Sequence, residues 1–352
     1  MAFTTVNKST DYFNTKLYTG NGSTNAITGV GFQPDWTWLK SRSDTYSHSW
    51  TDAVRGVTKK IASNNSNAEY TSSTELTSFD SDGFTLGTDA GVNNNASTFV
   101  SWNWKANGQG SSNGDGSITT TYTSANTTSG VSIIQYTGNG VDGATIGHGL
   151  GVAPTFLITK KTSGSESWYV GSSGLTSWDY KLYLDTTDAQ STNSPSVWGG
   201  AAPTSSTVSL GNSAPTNASG QTYIMYAFAE KTGFSKFGSY TGNGNADGPF
   251  VYTGFKPAFV LIKKATGSAD SWFINDNKRS LSGGFNTNSY YMRPNENAVE
   301  GTAASLAIDI LSNGVKIRNT DTAYNNNNST YIYMAFAEAP LVGSNNVPCN
   351  AR

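Results

Sequence analysis

The pentapeptide YTGNG stands at residues 18–22, 136–140 and 240–244 of a 352-residue chain, and each copy opens the same series of landmarks. A glycine-containing turn leads to a proline, and an apolar run then ends in lysine. GFQPDWTWLK closes at Lys40, GVAPTFLITK at Lys160 and GFKPAFVLIK at Lys263. Pro34, Pro154 and Pro257 precede those lysines by the same interval, and a tryptophan comes after them at Trp50, Trp168 and Trp272. SDGFTLG from Ser81, SSTVSLG from Ser205 and SNGVKIR from Ser312 come next, and FVSWNWKA, YIMYAFAE and YIYMAFAE close the series. Landmarks that recur in one order at long period mark a chain built of repeated structural units.

The repeats place unit boundaries at residues 17–106, 131–232 and 233–340. Residues 107–130, ANGQGSSNGDGSITTTYTSANTTSG from Ala106 onward, hold almost no apolar side chains and read as a flexible or extended linker. The second and third units adjoin closely in sequence and are expected to pack together, with the first more loosely tethered. Residues 1–16 precede the first repeat and are expected to serve attachment or contact with a neighbouring chain. Residues 341–352 form a tail.

Within a unit the apolar runs are short, rich in Val, Ile, Tyr, Phe, Trp and Thr, and bounded by Gly, Asn, Asp and Ser, which is the pattern of strands. The closing run alternates with period two. Val100, Trp102 and Trp104 correspond to Ile224, Tyr226 and Phe228 and to Ile332, Met334 and Phe336, so Trp102, Trp104, Tyr226, Phe228, Met334 and Phe336 are the expected structural core. Small or polar residues such as Asn103, Ala227 and Ala335 occupy the other face. The expected fold class is all-β: three tandem antiparallel β-sandwich modules, jelly-roll or lectin-like.

Composition narrows the function classes. Charged residues are 13% and the formal net charge is −2, which supplies no basic stripe for nucleic acid and no basic face for a membrane surface. No apolar run is long enough for a spanning helix. The opening MAFTTVNKSTDYF lacks a basic segment leading into an apolar core, so synthesis as a soluble cytoplasmic product is expected. One cysteine, Cys349, excludes an intrachain disulfide and a cysteine-based metal cluster. His48 and His148 fall at different places in different units and are expected at surface or turn positions, not in a triad or metal cage.

Asp80-Ser81-Asp82-Gly83 has the start of a calcium loop without the later acidic ligand. TGNG lacks the Gly-Lys-Ser/Thr of a phosphate loop. Both read as turns. Paired carboxylates for glycoside hydrolysis would have to come from Asp52, Asp276, Glu230 and Glu338. The D-x-x-R spacing of Asp52 with Arg55 and Asp276 with Arg279 reads instead as a local ion pair, absent from the second unit at Gly171 and Gly174. Glu230 and Glu338 read as solvated strand ends. The chain is therefore expected to be no enzyme, with no catalytic, cofactor or metal residues. Trp178 and Trp198, in SSGLTSWDYKL and NSPSVWGGAAP, lie among polar residues in the second unit only and are the candidate ligand-binding aromatics.

YTGNG, GFQPDWTWLKSR, DAVRG, SFDSDGFTLG, SWFINDNKR and YIYMAFAEAP together resemble a repeat family of virion proteins in tailed bacteriophages, notably marine and cyanobacterial ones. The resemblance spans nearly the whole chain and implies a virion setting. The implied role is a tail-associated fibre or adhesin for host-surface glycan attachment. The alternatives are a capsid decoration or head-fibre protein and a particle-bound carbohydrate-active enzyme. The partners so implied are other tail or capsid proteins and a host glycan, with no nucleic acid and no membrane insertion. A homo-oligomer, a trimer by preference, is expected at the virion surface.

Overall fold

The computed structural model describes residues 4–192, 197–279, 286–340 and 342, and the chain is all-β, built of antiparallel sheets. Three sheets repeat one strand order. The first runs Phe13–Thr19, Thr98–Trp104, Trp36–Ser41, Ser49–Asp52; the opening strand lies at one edge and the closing strand is second. Val131–Thr137, Thr222–Phe228, Phe156–Lys161 and Tyr169–Ser172 repeat it, as do Ser235–Thr241, Thr330–Pro340, Phe255–Lys264 and Trp272–Asp276. The registers coincide residue for residue. Phe13, Trp104, Trp36 and Asp52 face one another in a row across the first sheet. Val131, Phe228, Phe156 and Ser172 form the same row in the second, and Ser235, Phe336, Phe259 and Asp276 in the third.

Each large sheet has a smaller one beside it: Asn25–Thr28, Gly83–Leu86 and Leu76–Asp80 in the first unit, and Ala144–Gly147 with Thr207–Leu210 in the second. In the third it is Phe250–Tyr252, Gly314–Ile317, Ile308–Leu311 and Thr287–Asn288. The YTGNG motif ties the opening strand to the one-turn helix before the closing strand. Tyr18, Tyr136 and Tyr240 donate their hydroxyls to the carbonyls of Val92, Thr216 and Tyr324. Asn93, Asn217 and Asn325, fully buried, accept the backbone N–H of Asn21, Asn139 and Asn243. The first glycine of the motif is required by close approach: a Cβ on Gly242 would lie 2.3 Å from the Asn326 carbonyl oxygen.

The two faces of each closing strand do different work. One face carries the six expected core residues, all at most 1% exposed, and these bring the units together. Trp104 meets Phe336 with centroids 5.7 Å apart, Phe336 meets Phe228 at 6.1 Å, and Phe228 meets Trp36 of the first unit at 6.0 Å. The other face stacks Phe99 on Tyr18, Tyr223 on Tyr136 and Tyr331 on Tyr240 at about 5 Å, over the turn that each tyrosine anchors.

The units close into a ring. Glu69 N–H donates to the Thr162 carbonyl at 3.0 Å, Gln190 to Ala265 at 2.8 Å and Glu300 to Arg42 at 2.9 Å, so unit one contacts two, two contacts three and three returns to one. A second set runs beside it. The indole N–H groups of Trp168 and Trp272 reach the carbonyls of Ala62 and Tyr183, and His48 Nε2 reaches that of Arg293. Ala62, Tyr183 and Arg293 each come directly after the residue paired with Trp50, Val170 or Ile274. The expected looseness of the first unit is thus corrected: it has neighbours on both sides.

The register also corrects the alignment of landmarks. Trp168 and Trp272 are equivalent, but Trp50 lies two residues beyond the matching position, which His48 holds. The counterparts of Asp52 and Arg55 in the second unit are Ser172 and Leu175, not Gly171 and Gly174.

Two further expectations change. Residues 107–130 include the strand Tyr122–Asn126, which extends the second sheet by pairing with Val131–Thr137, and Asn107 N–H is held by Ser124 Oγ. The end of this segment is thus built into the sheet, while residues 111–117 remain a largely exposed turn. Within residues 1–16, Phe13 begins the opening strand and stacks on Phe336 at 5.2 Å, and Val6 is buried. Thr4 packs beside Pro340: the Cβ atoms of both lie 3.1 Å from where a Cβ on Gly233 would sit. Residues 4–16 are therefore packed against the fold through Thr4, Val6, Ser9, Phe13 and Thr15, with Thr5, Asn7 and Lys8 exposed. Residues 343–352, with Cys349, fall outside the described residues.

Lys40, Lys160 and Lys263, the lysines that end the repeated apolar runs, are buried and donate to backbone carbonyls, those of Ser66 and Thr187 across unit boundaries among them. Burial lowers each to about 8, from an unfolded value of ~10.4. The charged form is therefore penalised in the folded state. That penalty is full below pH 8 and disappears as the unfolded lysines also lose their protons, so stability rises with pH between about 8 and 10. Burial raises Tyr18, Tyr136 and Tyr240 well above their ordinary value, and their unfolded ionisation near ~10 reverses the trend above that pH. Urea midpoints measured from pH 7 to 11 are expected to climb and then fall. A profile flat or falling from pH 8 would contradict this account.

Candidate functional site

The Asp-x-x-Arg pairs lie at the unit boundaries and are closed to solvent. Asp52 Oδ2 accepts Arg55 Nε at 2.6 Å and the Tyr226 hydroxyl of the second unit at 2.7 Å, and both acidic and basic side chains are 0% exposed. Asp276 Oδ2 accepts Arg279 Nε at 2.6 Å and the Trp102 indole N–H of the first unit at 2.9 Å. Glu69 and Glu300 hold the outer edges of the two guanidinium groups. Burial works against the Arg55 charge, but Asp52, Tyr226 and Glu69 outweigh it and keep the group above its ordinary value. Carboxylates so bonded and so buried cannot reach a substrate; they fix one unit to the next.

Other sequence candidates are also absorbed into the fold. Asp82 accepts the N–H groups of Gly29 and Gly31 at 2.9 and 2.7 Å and closes a turn. His48 and His148 are buried, correcting their expected surface placement. Burial lowers both, and each is neutral with Nδ1 accepting, from Trp38 Nε1 and from Leu150 N–H, and Nε2 directed at a carbonyl. Among the described residues no group of three His, Cys, Asp or Glu side chains is placed to hold a metal ion.

Trp198 is 1% exposed and belongs to the core of the second unit with Val208 and Leu210. Trp178 is half-buried against the same cluster. The reason is Gly171: a Cβ there would sit 2.9 Å from both indoles, whereas the matching positions of the other units hold Thr51 and Asn275. The two tryptophans fill a space that a missing side chain leaves. Trp198 is thereby removed as a stacking platform for a ligand.

Among the described residues the aromatics that do face solvent are Tyr70, Phe250 and Tyr252, at 45%, 44% and 55% exposure. Tyr70 borders a cleft in the first unit whose two acids are already engaged: Glu75 accepts the hydroxyls of Ser49 and Tyr70, both at 2.7 Å, and Asp89 accepts Gly91 N–H at 2.8 Å. Phe250 and Tyr252 are different. They lie two residues apart on the same face of an edge strand in the third unit. Tyr252 lines an open cleft of about 460 Å³ at the junction of the second and third units, together with Glu230, Thr232, Ser235, Lys236 and Thr253. Glu230 Oε2 accepts Lys236 Nζ at 2.7 Å and Oε1 accepts Phe237 N–H at 3.1 Å, with 31% and 41% of the acidic and basic side chains still exposed. Glu338, the other expected solvated end, pairs with Lys256 at 2.6 Å.

Register identifies the positions of Phe250 and Tyr252 with Ala26 and Thr28 in the first unit and with Thr145 and Gly147 in the second. Two units fold without an aromatic there. The segment PFVYTG carries that signal, and it is found by comparing the repeats position by position instead of seeking tryptophans unique to one unit.

The chain belongs to the family described as domain of unknown function DUF7483, whose model matches residues 8–340. No curated protein and no solved structure matches the chain.

Proposed function

We propose that the protein is a non-enzymatic structural component of a tailed-bacteriophage particle, tail-associated and exposed at the virion surface, that attaches to a host-surface glycan. In this reading each unit is a small lectin-like β-sandwich, formed by one large and one small sheet. The observation that carries it is the division of labour among polar groups. The buried ionisable side chains at the unit boundaries are spent on joining units, while an aromatic pair without counterparts in the other units faces outward, with a polar cleft beside it. Low charge favours dense packing with neighbouring proteins of the particle.

Mass spectrometry of purified particles tests the reading through copy number. A few copies per virion fit a tail location. Hundreds would transfer the protein to the capsid as a decoration protein, and absence from particles would overturn the virion role.

A further inference from the structure

We infer that the cleft between the second and third units binds one neutral pyranose ring, stacked on Tyr252 and hydrogen-bonded to Glu230 and Lys236. The inference deepens the attachment reading by placing its ligand. A pyranose presents an apolar face of C–H groups and an equatorial rim of hydroxyls. It needs an exposed aromatic face and, at its edge, an acceptor beside a donor.

The cleft supplies both. Tyr252 is more than half exposed on an edge strand. Its neighbour Phe250 lies against Gly314, where a Cβ would meet the ring at 2.9 Å, so this ring rests on bare backbone and turns its other face outward. Glu230 and Lys236, 2.7 Å apart, neutralise each other. The carboxylate keeps lone pairs and the ammonium keeps N–H groups beyond those the protein uses, enough for two adjacent hydroxyls. The paired charges offer no net attraction to an acidic or basic sugar, which selects a neutral one. A volume of about 460 Å³ lies in the range of small-ligand sites and suits a terminal residue better than a long chain. The absence of both aromatics from the matching strands of the first and second units shows that the fold itself does not ask for them.

Saturation-transfer NMR and titration calorimetry of the full chain with methyl glycosides of glucose, galactose and mannose, and with glucuronic acid and glucosamine as charged controls, test the site. At least one neutral glycoside is expected to bind, with saturation strongest on its ring C–H protons. Tyr252→Ser, at an exposed position, is expected to weaken it about tenfold or more while leaving the unfolding midpoint unchanged, as truncation of an aromatic anchor should. Glu230→Gln is expected to weaken binding, and Tyr252→Trp to retain it.

Failure of every neutral glycoside, preference for a charged sugar, or binding indifferent to Tyr252→Ser would overturn the inference. So would wild-type self-association abolished by Tyr252→Ser in sedimentation, which would give the face to a second copy of the chain. Binding of a glycoside by a protein that is absent from particles would leave the site standing and remove only the virion reading.

Discussion

Replacing Arg279 by methionine is expected to lower stability by ~3–5 kcal/mol, because the Asp276 carboxylate is left buried without its guanidinium. The protein contains its own control for this experiment. Where units one and three place Asp, Arg and Glu at a boundary, unit two places Ser172, Leu175 and Gln190. The closing-strand residue facing the cluster changes with it. Tyr226 and Trp102 donate hydrogen bonds to the two aspartates, whereas the matching residue of unit three is Met334, which has no such donor. The charged and uncharged solutions are each complete, and a mixture leaves a buried polar atom unpartnered. Glu300 also holds Arg42 at 2.7 Å and Trp102 packs on Trp38 and Phe259, so both are left in place. The double replacement Asp276→Ser with Arg279→Leu, which removes the two buried charges together, is expected to recover part of the loss. Urea unfolding of both variants measures it; a double variant no more stable than the single one would show that the buried charge is not the source of the loss.

Phe336→Ala is expected to cost ~3–5 kcal/mol, the range for deleting a buried aromatic side chain. Its ring lies within about 6 Å of Phe13 and Trp104 of the first unit, Phe228 of the second, and Phe234, Phe237 and Phe259 of its own. Because that ring touches all three units, the loss should appear in every unit at once. A single cooperative transition, moved to lower denaturant and coincident by near-ultraviolet circular dichroism and tryptophan fluorescence, is the expected result. Three separable transitions, or loss confined to the third unit, would contradict a shared core.

Much of this architecture is legible in the amino-acid order alone. Turn chemistry is strict, so YTGNG survives in each copy: its first glycine has no room for a Cβ beside the Asn94, Ala218 or Asn326 carbonyl, and its tyrosine has a fixed acceptor. Alternation in the closing strands is equally legible, because a strand with two buried faces of different width must place Trp104 on one and Asn103 on the other.

Ring closure is not legible. Its repeated backbone bonds end on the carbonyls of Thr162, Ala265 and Arg42, where an acceptor places no demand on side-chain identity. Its side-chain bonds join Asp52 to Tyr226, Asp276 to Trp102 and Arg42 to Glu300, pairs too distant in the chain to be matched from its order. Register is only partly legible, since the turn after the lysine differs in length between units and Trp50 mimics a landmark that belongs to His48. The candidate site escapes for a third reason. Trp198 looks exposed in its polar sequence context but is drawn inward by the space above Gly171, while Tyr252 sits in an ordinary strand pattern and points out because it shares the solvent face with Phe250 while Val251 takes the buried one.

The seating of Thr4 beside Pro340 has a consequence for how the molecule can be rewired. A closed ring of like units has no obligatory first member, and here the two ends of the described fold meet across Gly233. The chain is expected to tolerate circular permutation: a short bridge from residue 340 to residue 4, with a new opening in the polar turn around Gly114 and Asp115, gives the order two, three, one without cutting a strand, and a cooperative urea transition of the permuted protein would check it. Such a molecule would present the Tyr252 cleft near the middle of its first two units. A cargo fused at Gly114 would then leave from a different corner of the same ring, with the Tyr252 cleft unchanged.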